Sequence, residues 1–368
     1  MKQRQFSDQD FESSAGQSES DEDLCVCPDQ VSYTVICRDK TLHVQQGNDE
    51  RSTIWRLYTQ SGQLKLEWAV DWRVNQPQVT ELLAAIEAAF TYYPHEKILY
   101  LSASTQSFDE NLFTSGVLVR TTQDQVVVYA ELFWQQARLW LSSIRSQAFP
   151  LMYVFSQGRR HPLRPPKPQG MVYSRYITWL GATLTFRTID MTADLEHFNR
   201  WMNEPDVVAF WQEAGDLAKH RKYLEEIHSD THMINLMACL DDKPFGYFEI
   251  YWAKEDRIAP YYDVDDYDRG WHVLIGEPHM RGKRFVTAWL PSISHYLFLD
   301  DDRTQRIVIE PRADNHKMIR NLTRSGYANL KEFDFPHKRA MLGMLSRERF
   351  FSEQLWVPQD PLTPSLVS

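Results

Sequence analysis

The chain has 368 residues, of which 43% are hydrophobic and 13% aromatic, so it is long enough for two domains with buried cores. Its formal charge of −10 argues against a protein that coats nucleic acid or a membrane surface. Residues 1–23 carry 7 acidic and 2 basic side chains, and residues 254–268 carry 6 acidic and 2 basic ones. The rest of the chain is therefore close to neutral.

The N-terminus shows no apolar core of a signal peptide and no Arg-rich transit pattern. No stretch approaches the roughly 18 consecutive apolar residues of a transmembrane helix. Four cysteines are too few for a disulfide scaffold, and the C-x-C of Cys25 and Cys27 lacks the spacing of a structural zinc site. We expect a soluble cytoplasmic protein with reduced thiols and no metal.

The first half of the chain predicts a disordered acidic tail over 1–23 and an α+β domain over 24–155. Short segments rich in β-branched and aromatic residues, separated by turn signals, are typical of strands. An apolar stripe at helical spacing predicts a helix that follows them. The predicted elements are several strands within 31–72, a helix at 78–93, strands at 97–102 and 116–122, and a buried helix at 129–144.

Residues 156–170 contain 4 prolines, 3 arginines and 2 glycines, which predicts an extended linker between two domains. A second α+β domain is predicted over 171–368. Its predicted strands are 184–186, 233–240, 245–252, 272–275, 306–310 and 339–345, and its predicted helices are 194–203, 215–229, 283–299 and 315–325. The strand–helix–strand unit from 271 to 310 implies two parallel neighbouring strands, and ligands collect at such strand ends.

Four short motifs recur together in the second half: Y-W-x-x-E-D-R at 251–257, Y-Y-D at 261–263, T-Q-R-I-V at 304–308 and P-H-K-R-A at 336–340. Over residues 171–352 the chain closely resembles the acyltransferases of hydroxamate siderophore biosynthesis, which belong to the GNAT superfamily. The resemblance implies a GNAT-type mixed sheet flanked by helices in the C-terminal half. It also implies a smaller α+β N-terminal domain, whose strands and helix permit a degenerate GNAT-like copy.

An acyl-CoA enzyme needs backbone N–H groups and positive charge at a strand-to-helix turn to hold a pyrophosphate. The predicted residues for this role, at the start of the 283–299 helix, are Arg281, Gly282, Lys283 and Arg284. Arg284 replaces a small residue of the superfamily pattern, which argues against close approach of the backbone to the phosphates. Thr287 and Asn315 are secondary candidates. Asn315 suits a helix N-cap, and the resemblance also implies contact with the pantetheine arm.

His272 and Glu310 are the catalytic candidates, because two parallel strands would bring both side chains to one crevice. Acyl transfer needs a base, since a protonated nitrogen has no lone pair for attack on a thioester. In the family that this chain resembles, a His and an Asp or Glu at the matching positions are assigned to catalysis. The alternative is a strand histidine satisfied by a neighbouring carboxylate.

The predicted acceptor site is formed by residues near the same crevice and in the acidic loop 254–268. Carboxylates in this loop would attract the remote amine of a hydroxylated lysine, ornithine or diamine; the alternative is a solvated loop. The predicted substrate-binding residues are Trp211, Glu249, Tyr251, Trp252 and Asp263. The segment His337-Lys338-Arg339 is open to a substrate carboxylate, to the CoA 3′-phosphate or to solvent.

The resemblance implies transfer of an acyl group from acetyl-CoA, or another acyl-CoA, to an N-hydroxylated amine by direct attack in a ternary complex. The expected partners are a small-molecule hydroxylamine and the acyl-CoA, without nucleic acid or membrane. Two alternatives stay open at this point: a GNAT acetyltransferase for an ordinary amine such as an antibiotic, a polyamine or a protein terminus, and an inactive protein that binds CoA or a partner.

Overall fold

The structure is a computed structural model, and it describes residues 23–47, 52–70, 76–102, 108–144, 147–156 and 158–359. The predicted disordered tail lies outside the described residues except for Asp23. Within the described ranges, no helix combines the length and the apolar character that crossing a membrane would require.

The first half of the chain forms one eight-stranded sheet with an almost completely buried helix against it. Its strands are β1 (Leu24–Val26), β2 (Tyr33–Arg38), β3 (Thr41–Gln46), β4 (Ser52–Gln60), β5 (Gln63–Trp68), β6 (Ile98–Leu101), β7 (Val119–Arg120) and β8 (Val126–Tyr129). Its helices are α1 (Val79–Tyr92), α2 (Glu110–Thr114) and α3 (Ala130–Phe133). Alternate residues of β4 and β5 are buried, as the β-type pattern predicts for a sheet with one covered face.

The second half forms another eight-stranded sheet, preceded by a hairpin of β9 (Tyr153–Ser156) and β10 (Arg159–Pro162). Its strands are β11 (Met171–Ile177), β12 (Ala182–Thr188), β13 (Met233–Leu240), β14 (Lys243–Trp252), β15 (Arg269–Ile275), β16 (Arg306–Ile309), β17 (Ala328–Asp334) and β18 (Arg339–Ser346). Its helices are α4 (Leu195–Met202), α5 (Pro205–Trp211), α6 (Leu217–Ser229), α7 (Lys283–Asp300), α8 (His316–Arg324) and α9 (Arg347–Ser352). Every residue of β13 is buried, because helices cover this part of the sheet on both faces.

The two sheets have the same strand order and the same polarity. The order is β1-β2-β3-β4-β5-β6-β8-β7 in the first and β11-β12-β13-β14-β15-β16-β18-β17 in the second. Each contains one parallel pair, β5 with β6 and β15 with β16, joined by α1 and α7 respectively. The helices α4, α5 and α6, which join β12 to β13, have no counterpart between β2 and β3. The N-terminal half thus repeats the topology of the second half in a reduced form.

The two halves share one continuous hydrophobic core. At their junction His295 of α7 lies between Trp134, whose carbonyl is 2.6 Å from Nε2, and Tyr173, whose hydroxyl is 3.0 Å from Nδ1. Burial lowers the pKa of His295 to about 3, so this imidazole is neutral. Nε2–H therefore donates to Trp134 and Nδ1 accepts from Tyr173, which fixes the ring at the centre of the molecule.

The predicted buried helix over 129–144 is wrong. Helix α3 covers only Ala130–Phe133 and follows strand β8, which the pattern did not predict. Beyond α3 the chain turns so that Trp134 and Trp140 stack with ring centroids 4.6 Å apart, and Leu141 bridges to Tyr173 of the second sheet. Aromatic packing between the halves outweighs the helical periodicity of this segment.

The predicted extended linker over 156–170 is wrong in its local structure, because its first part forms the hairpin β9–β10. Its second part is tied to the C-terminal half. Buried Arg164 binds Glu255 through two hydrogen bonds of 2.5 and 2.6 Å, and Lys167 donates to the carbonyls at the end of α6. The domain limits 24–155, 156–170 and 171–368 remain predictions.

Candidate functional site

The candidate site lies where β15 and β16 separate. The two strands are parallel neighbours, as predicted, with Arg269 opposite Ile307 and Gly270 opposite Val308. His272 lies two residues after Gly270 on β15. Glu310 lies two residues after Val308, just past the end of β16. Identical offsets on two parallel strands place the two side chains opposite each other.

His272 is held between two carboxylates. Its Nε2 lies 2.7 Å from Glu310 Oε1, and its Nδ1 lies 3.2 Å from Glu249 Oε2 on the neighbouring strand β14. The carboxylates are buried, whereas 19% of the His272 side chain remains exposed. The imidazole is therefore the member of this cluster that a ligand can reach.

The carboxylates make His272 a stronger base than an ordinary histidine. Burial by itself lowers the pKa of the imidazole, but the charge of Glu310 and the hydrogen bonds to Glu249 and Glu310 outweigh it and raise the pKa to about 9. For Glu310, burial acts to raise the pKa, and the adjacent His272 charge and hydrogen bond hold it well below its usual value. The pair is thus an imidazolium and a carboxylate at neutral pH.

Three tyrosine hydroxyls fix the two carboxylates. Tyr251 donates to Glu310 at 2.6 Å, while Tyr223 and Tyr247 donate to Glu249 at 2.6 and 3.1 Å. Burial, reinforced by these carboxylates, raises the pKa of Tyr247 and Tyr251 well above the usual value, so both phenols stay protonated. The hydroxyls therefore donate at all physiological pH values and orient the glutamates toward His272.

A cavity of about 690 Å³ opens beside β15, beyond the point where it leaves β16. It lies between the C-terminal residues of β15, the start of α7, helix α8 and the end of α5. Five basic side chains and one acidic side chain line it: Arg281, Lys283, Lys317, Arg320, Arg324 and Asp206. Such a basic cavity in an acidic protein is suited to a polyanionic ligand.

The turn before α7 supplies the predicted phosphate-binding residues Arg281, Gly282 and Lys283 to this cavity. Arg281 is anchored by hydrogen bonds from Nε to the Ile275 carbonyl and from Nη1 to Asp206, and its buried Nη2 has no hydrogen-bond partner among the described residues. Gly282 precedes the first turn of α7 with φ 113°, a conformation that favours glycine, and open space surrounds its Cα. The turn thus offers a guanidinium N–H and an unobstructed helix N-terminus to a ligand.

The structure separates Arg284 from the other predicted cations of this turn. Its Nε donates to the Trp179 carbonyl at 3.0 Å, and the indole of Trp179 donates back to the Arg284 carbonyl at 3.0 Å. Arg284 does not line the cavity. Its side chain links α7 to the turn after β11, and its predicted role in cofactor binding stays a prediction.

The secondary candidates Thr287 and Asn315 both line the cavity. The Thr287 hydroxyl donates to the carbonyl of Lys283 within α7. The Asn315 side chain accepts from the Met318 amide at 3.1 Å, which is the predicted N-cap of α8. Capping and cavity lining are compatible at Asn315, since its oxygen serves the cap and leaves the amide nitrogen for a ligand.

The sequence prediction missed three cations on α8: Lys317, Arg320 and Arg324. They stand at positions i, i+3 and i+7, so they share one helix face, and this spacing was a signal available in the sequence. Of the apolar residues of α8, Leu322 is buried in the hydrophobic core, whereas Met318 also lines the cavity.

Of the predicted acceptor residues, Glu249, Tyr251 and Trp211 lie at or beside the catalytic pair. Glu249 and Tyr251 make the hydrogen bonds described above. Trp211 ends α5, donates to the Val273 carbonyl at 3.3 Å and lies against Tyr247, so it stands between the basic cavity and the His272 cluster.

Trp252 is not part of the site. Side chains alternate along β14, so Trp252 points to the opposite face from Glu249 and Tyr251. Its ring is sandwiched between the guanidinium groups of Arg164 and Arg269, whose Cζ atoms lie 4.3 and 3.9 Å from its centroid. The predicted role in substrate binding is therefore wrong, and the residue packs the hairpin segment onto the sheet.

The acidic loop 254–268 does not direct its carboxylates at the catalytic pair. Asp266 pairs with Lys254 at 3.4 Å, and buried Asp268 pairs with Arg306 at 2.8 Å. Asp263 is exposed, and its carbonyl accepts from Arg306 at the opposite end of β16 from Glu310. These ion pairs hold the loop along the start of β15 and β16, and the predicted role of Asp263 in acceptor binding stays a prediction.

Within the parts of the chain that the structure describes, no group of three or more His, Cys, Asp and Glu side chains is arranged to hold a metal ion.

The chain matches the family model described as "Acetyltransferase (GNAT) domain" over residues 190–335, which include His272, Glu310 and the turn before α7. It is 45% identical over 229 residues to the N(6)-hydroxylysine O-acetyltransferase of Escherichia coli, covering 62% of this chain and 72% of that protein. It is also 35% identical to the hydroxyornithine transacylase SID3 of Ajellomyces capsulatus, covering 75% of this chain and 73% of that protein.

A third relative is the N(5)-hydroxyornithine:cis-anhydromevalonyl coenzyme A-N(5)-transacylase SIDF of Beauveria bassiana. The identity is 47% over 196 residues, which cover 52% of this chain and 43% of that longer protein.

Proposed function

This chain belongs to the GNAT-type acyltransferases of hydroxamate siderophore biosynthesis, and we propose that it transfers an acetyl group from acetyl-CoA to the nitrogen of an N-hydroxylated amine, giving a hydroxamate. The observation that carries the proposal is the position of His272, a partly exposed imidazole between two buried glutamates, next to a basic cavity at the end of the same strand.

The basic cavity suits the phosphates of coenzyme A. Arg281, Lys283 and the positive N-terminal end of α7 would hold the pyrophosphate, since a helix N-terminus attracts anions. The cations Lys317, Arg320 and Arg324 supply further positive charge on the facing helix for the 3′-phosphate. Arg284, which replaces a small residue, does not obstruct this turn because Trp179 holds its side chain away.

From this cavity the pantetheine arm would run along the unpaired edge of β15 toward His272. Trp211 covers that edge at Val273, and Asn315 lies across from it on the cap of α8. The thioester would then reach the gap between β15 and β16, where the catalytic pair lies.

The chemical step is direct attack of the acceptor nitrogen on the thioester carbonyl. As the N–C bond forms and the C–S bond breaks, the contact between His272 Nε2 and Glu310 would open to admit the acceptor nitrogen. In the neutral imidazole this Nε2 is unprotonated and accepts the proton that the nitrogen loses, and the imidazolium then supplies a proton to the departing CoA thiolate. Glu249 and Glu310 stabilise the imidazolium that results, because both of its N–H groups point at a carboxylate. The three described tyrosine hydroxyls keep the two carboxylates in place.

A hydroxylamine suits this site better than an ordinary amine. Alkyl amines such as the lysine side chain have a pKa of about 10.4 and are almost fully protonated at neutral pH. A hydroxylamine nitrogen is less basic, so it reaches the site with its lone pair free. His272 then only needs to remove a proton during the attack, not before it.

The proposal is tested with the purified chain, acetyl-CoA and pairs of acceptors that differ only in the N-hydroxyl group. We expect CoA release with N6-hydroxylysine or N5-hydroxyornithine to exceed release with lysine or ornithine by at least about 100-fold, in line with the protonation difference. The product with a hydroxylated acceptor should form a coloured ferric complex, which N-acylation permits and O-acylation does not. Equal rates with the parent amines, or an O-acetyl product, would contradict the proposal.

A further inference from the structure

The loop 254–268 places a cation, not a carboxylate, beside the catalytic pair. Arg257 Nη2 lies 3.7 Å from Glu310 Oε1, and half of the Arg257 side chain is exposed. Its guanidinium makes no hydrogen bond to any residue that the structure describes, whereas the neighbouring carboxylates of the loop are paired with other groups. An arginine in this position can present its planar group of N–H donors to a ligand. We call the surface that Arg257, His337 and Lys338 form beside Glu310 the mouth of the site.

Two more residues with basic side chains reach the same mouth from the turn between β17 and β18. Lys338 donates to the Glu310 carbonyl at 2.7 Å and lies 3.9 Å from its carboxylate. Exposed His337 stacks on Phe335, and the guanidinium of Arg257 lies 5.7 Å from the same ring. The sequence left the segment 337–339 open to a substrate carboxylate, to a CoA phosphate or to solvent. In the structure Lys338 contacts Glu310, His337 lies beside it on Phe335, and none of the three residues lines the basic cavity.

The acidic groups around this mouth are already engaged. Glu310 holds His272 and Tyr251, Asp314 pairs with Arg312 at 2.6 Å, and Asp256 accepts from the Ile258 amide and lies 3.6 Å from His232. Burial, and after it the charges of Arg257 and Lys338, lowers the pKa of His337. The basic side chains of the mouth are thus able to bind an anionic group of a ligand.

We propose that Arg257, assisted by His337 and Lys338, forms a binding site for a carboxylate of the acyl acceptor, so that the acceptor is an N-hydroxylated amino acid and not an N-hydroxylated diamine. This inference rests on the proposed function. The planar guanidinium matches a carboxylate with two parallel hydrogen bonds, which an ammonium group cannot provide.

The dimensions agree with an amino-acid acceptor. Six bonds of about 1.5 Å join the hydroxylated nitrogen of N6-hydroxylysine to its carboxylate carbon, so the extended molecule spans roughly 7 Å. His272 Nε2 and Arg257 Nη2 lie 2.7 and 3.7 Å from the same oxygen, Glu310 Oε1, so an acceptor of this length could contact both groups.

The test compares N6-hydroxylysine with N-hydroxycadaverine, which has the same chain and lacks the carboxylate. For the unaltered chain we expect kcat/KM for N6-hydroxylysine to be about 10- to 100-fold higher, mainly through KM, as for loss of a charge-assisted hydrogen bond. In Arg257→Met the ratio of the two values should fall toward one. Arg221→Met, which removes an exposed arginine of α6, is the matched control and should keep the ratio.

The outcomes separate the two proposals. If both acceptors are used equally well by the unaltered chain, or if Arg257→Met keeps the preference, the carboxylate site is refuted and the acyltransferase function stands. If neither acceptor is acetylated, the proposed function itself fails. A thermal melt of Arg257→Met guards against misfolding, and we expect little loss of stability because the half-exposed Arg257 contacts Glu310 only through an ion pair at 3.7 Å.

Discussion

Glu249, together with Glu310, raises the pKa of His272, the base of the proposed reaction. Its carboxylate lies 3.2 Å from His272 Nδ1 and also accepts from Tyr223 and Tyr247, so Glu249→Gln removes the charge while keeping an oxygen acceptor and the shape of the side chain. A hydrogen bond to a charged group contributes about 1.5–3 kcal/mol. Since one pKa unit corresponds to about 1.36 kcal/mol, the pKa of His272 should fall by about 1–2 units.

The direction in which kcat/KM changes with pH follows from the protonation state of His272 that the reaction needs. The pKa of His272 is raised to about 9, so the imidazole is mostly charged at pH 7.5, with roughly 3% in the neutral form that accepts a proton. The kcat/KM of the unaltered chain should therefore rise with pH and level off above pH 9. In Glu249→Gln the same rise should occur about 1–2 pH units lower, with a lower plateau because the imidazole is a weaker base.

The assay records kcat/KM with acetyl-CoA and a hydroxylated acceptor from about pH 6 to 10, following the loss of thioester absorbance, and Asp263→Asn serves as the control. Asp263 is exposed and contacts neither His272 nor Glu310 in the described structure, so its variant should follow the unaltered profile. Identical profiles for the unaltered chain and Glu249→Gln would refute the reasoning, as would a plateau already reached below pH 7.

The remaining predictions address the other parts of the site. His272→Gln should lower kcat by about 100-fold or more with little change in the Kd of CoA, and a kcat within a few-fold of the original would remove it from the chemistry. Arg281→Ala should raise the KM of acetyl-CoA about 10-fold or more. Arg284→Ala is the control and should change that KM little, because Trp179 holds the Arg284 side chain. Equal effects of the two substitutions would contradict the geometry of the turn. Trp252→Ala should lower the free energy of unfolding by about 3 kcal/mol while the surviving folded protein keeps its KM for the acceptor, and a raised KM would return Trp252 to the site.

Much of the catalytic geometry was predictable from the sequence because it depends on local order. The segments that form β15, α7 and β16 follow one another along the chain, and a strand–helix–strand unit makes its two strands parallel neighbours. His272 and Glu310 stand at matching offsets on these strands, so their meeting follows from the topology.

The incorrect predictions concern side chains whose positions depend on contacts with distant parts of the chain. Trp252 lies in β14, whose last eight residues are all buried, so no alternation of polar and apolar residues reveals which face each side chain takes. The acidic residues of the loop 254–268 were expected to serve the acceptor, but Arg306 and Lys254 neutralise two of them, and these pairings depend on tertiary structure. Arg257, in the same loop, was overlooked because the loop was judged by its net negative charge, although its one cation near Glu310 is Arg257.

The basic cavity contains one part that the sequence predicted and one part that depends on tertiary structure. The turn at Arg281 and Gly282 was identified from its place before a helix, while the cations of α8 needed the fold to bring that helix beside it. The N-terminal sheet was predicted as α+β, but its identical strand order became visible only once β8, which the pattern missed, was placed between β6 and β7.

The central claim is that this chain acylates the nitrogen of an N-hydroxylated amine. Its most direct test is to measure, in one reaction with acetyl-CoA and N6-hydroxylysine, both the CoA released and the hydroxamate formed, the latter as its ferric complex. We expect one hydroxamate for each CoA, and neither product with His272→Gln beyond the uncatalysed rate. CoA release without hydroxamate, or hydroxamate formation that does not depend on His272, would contradict the account.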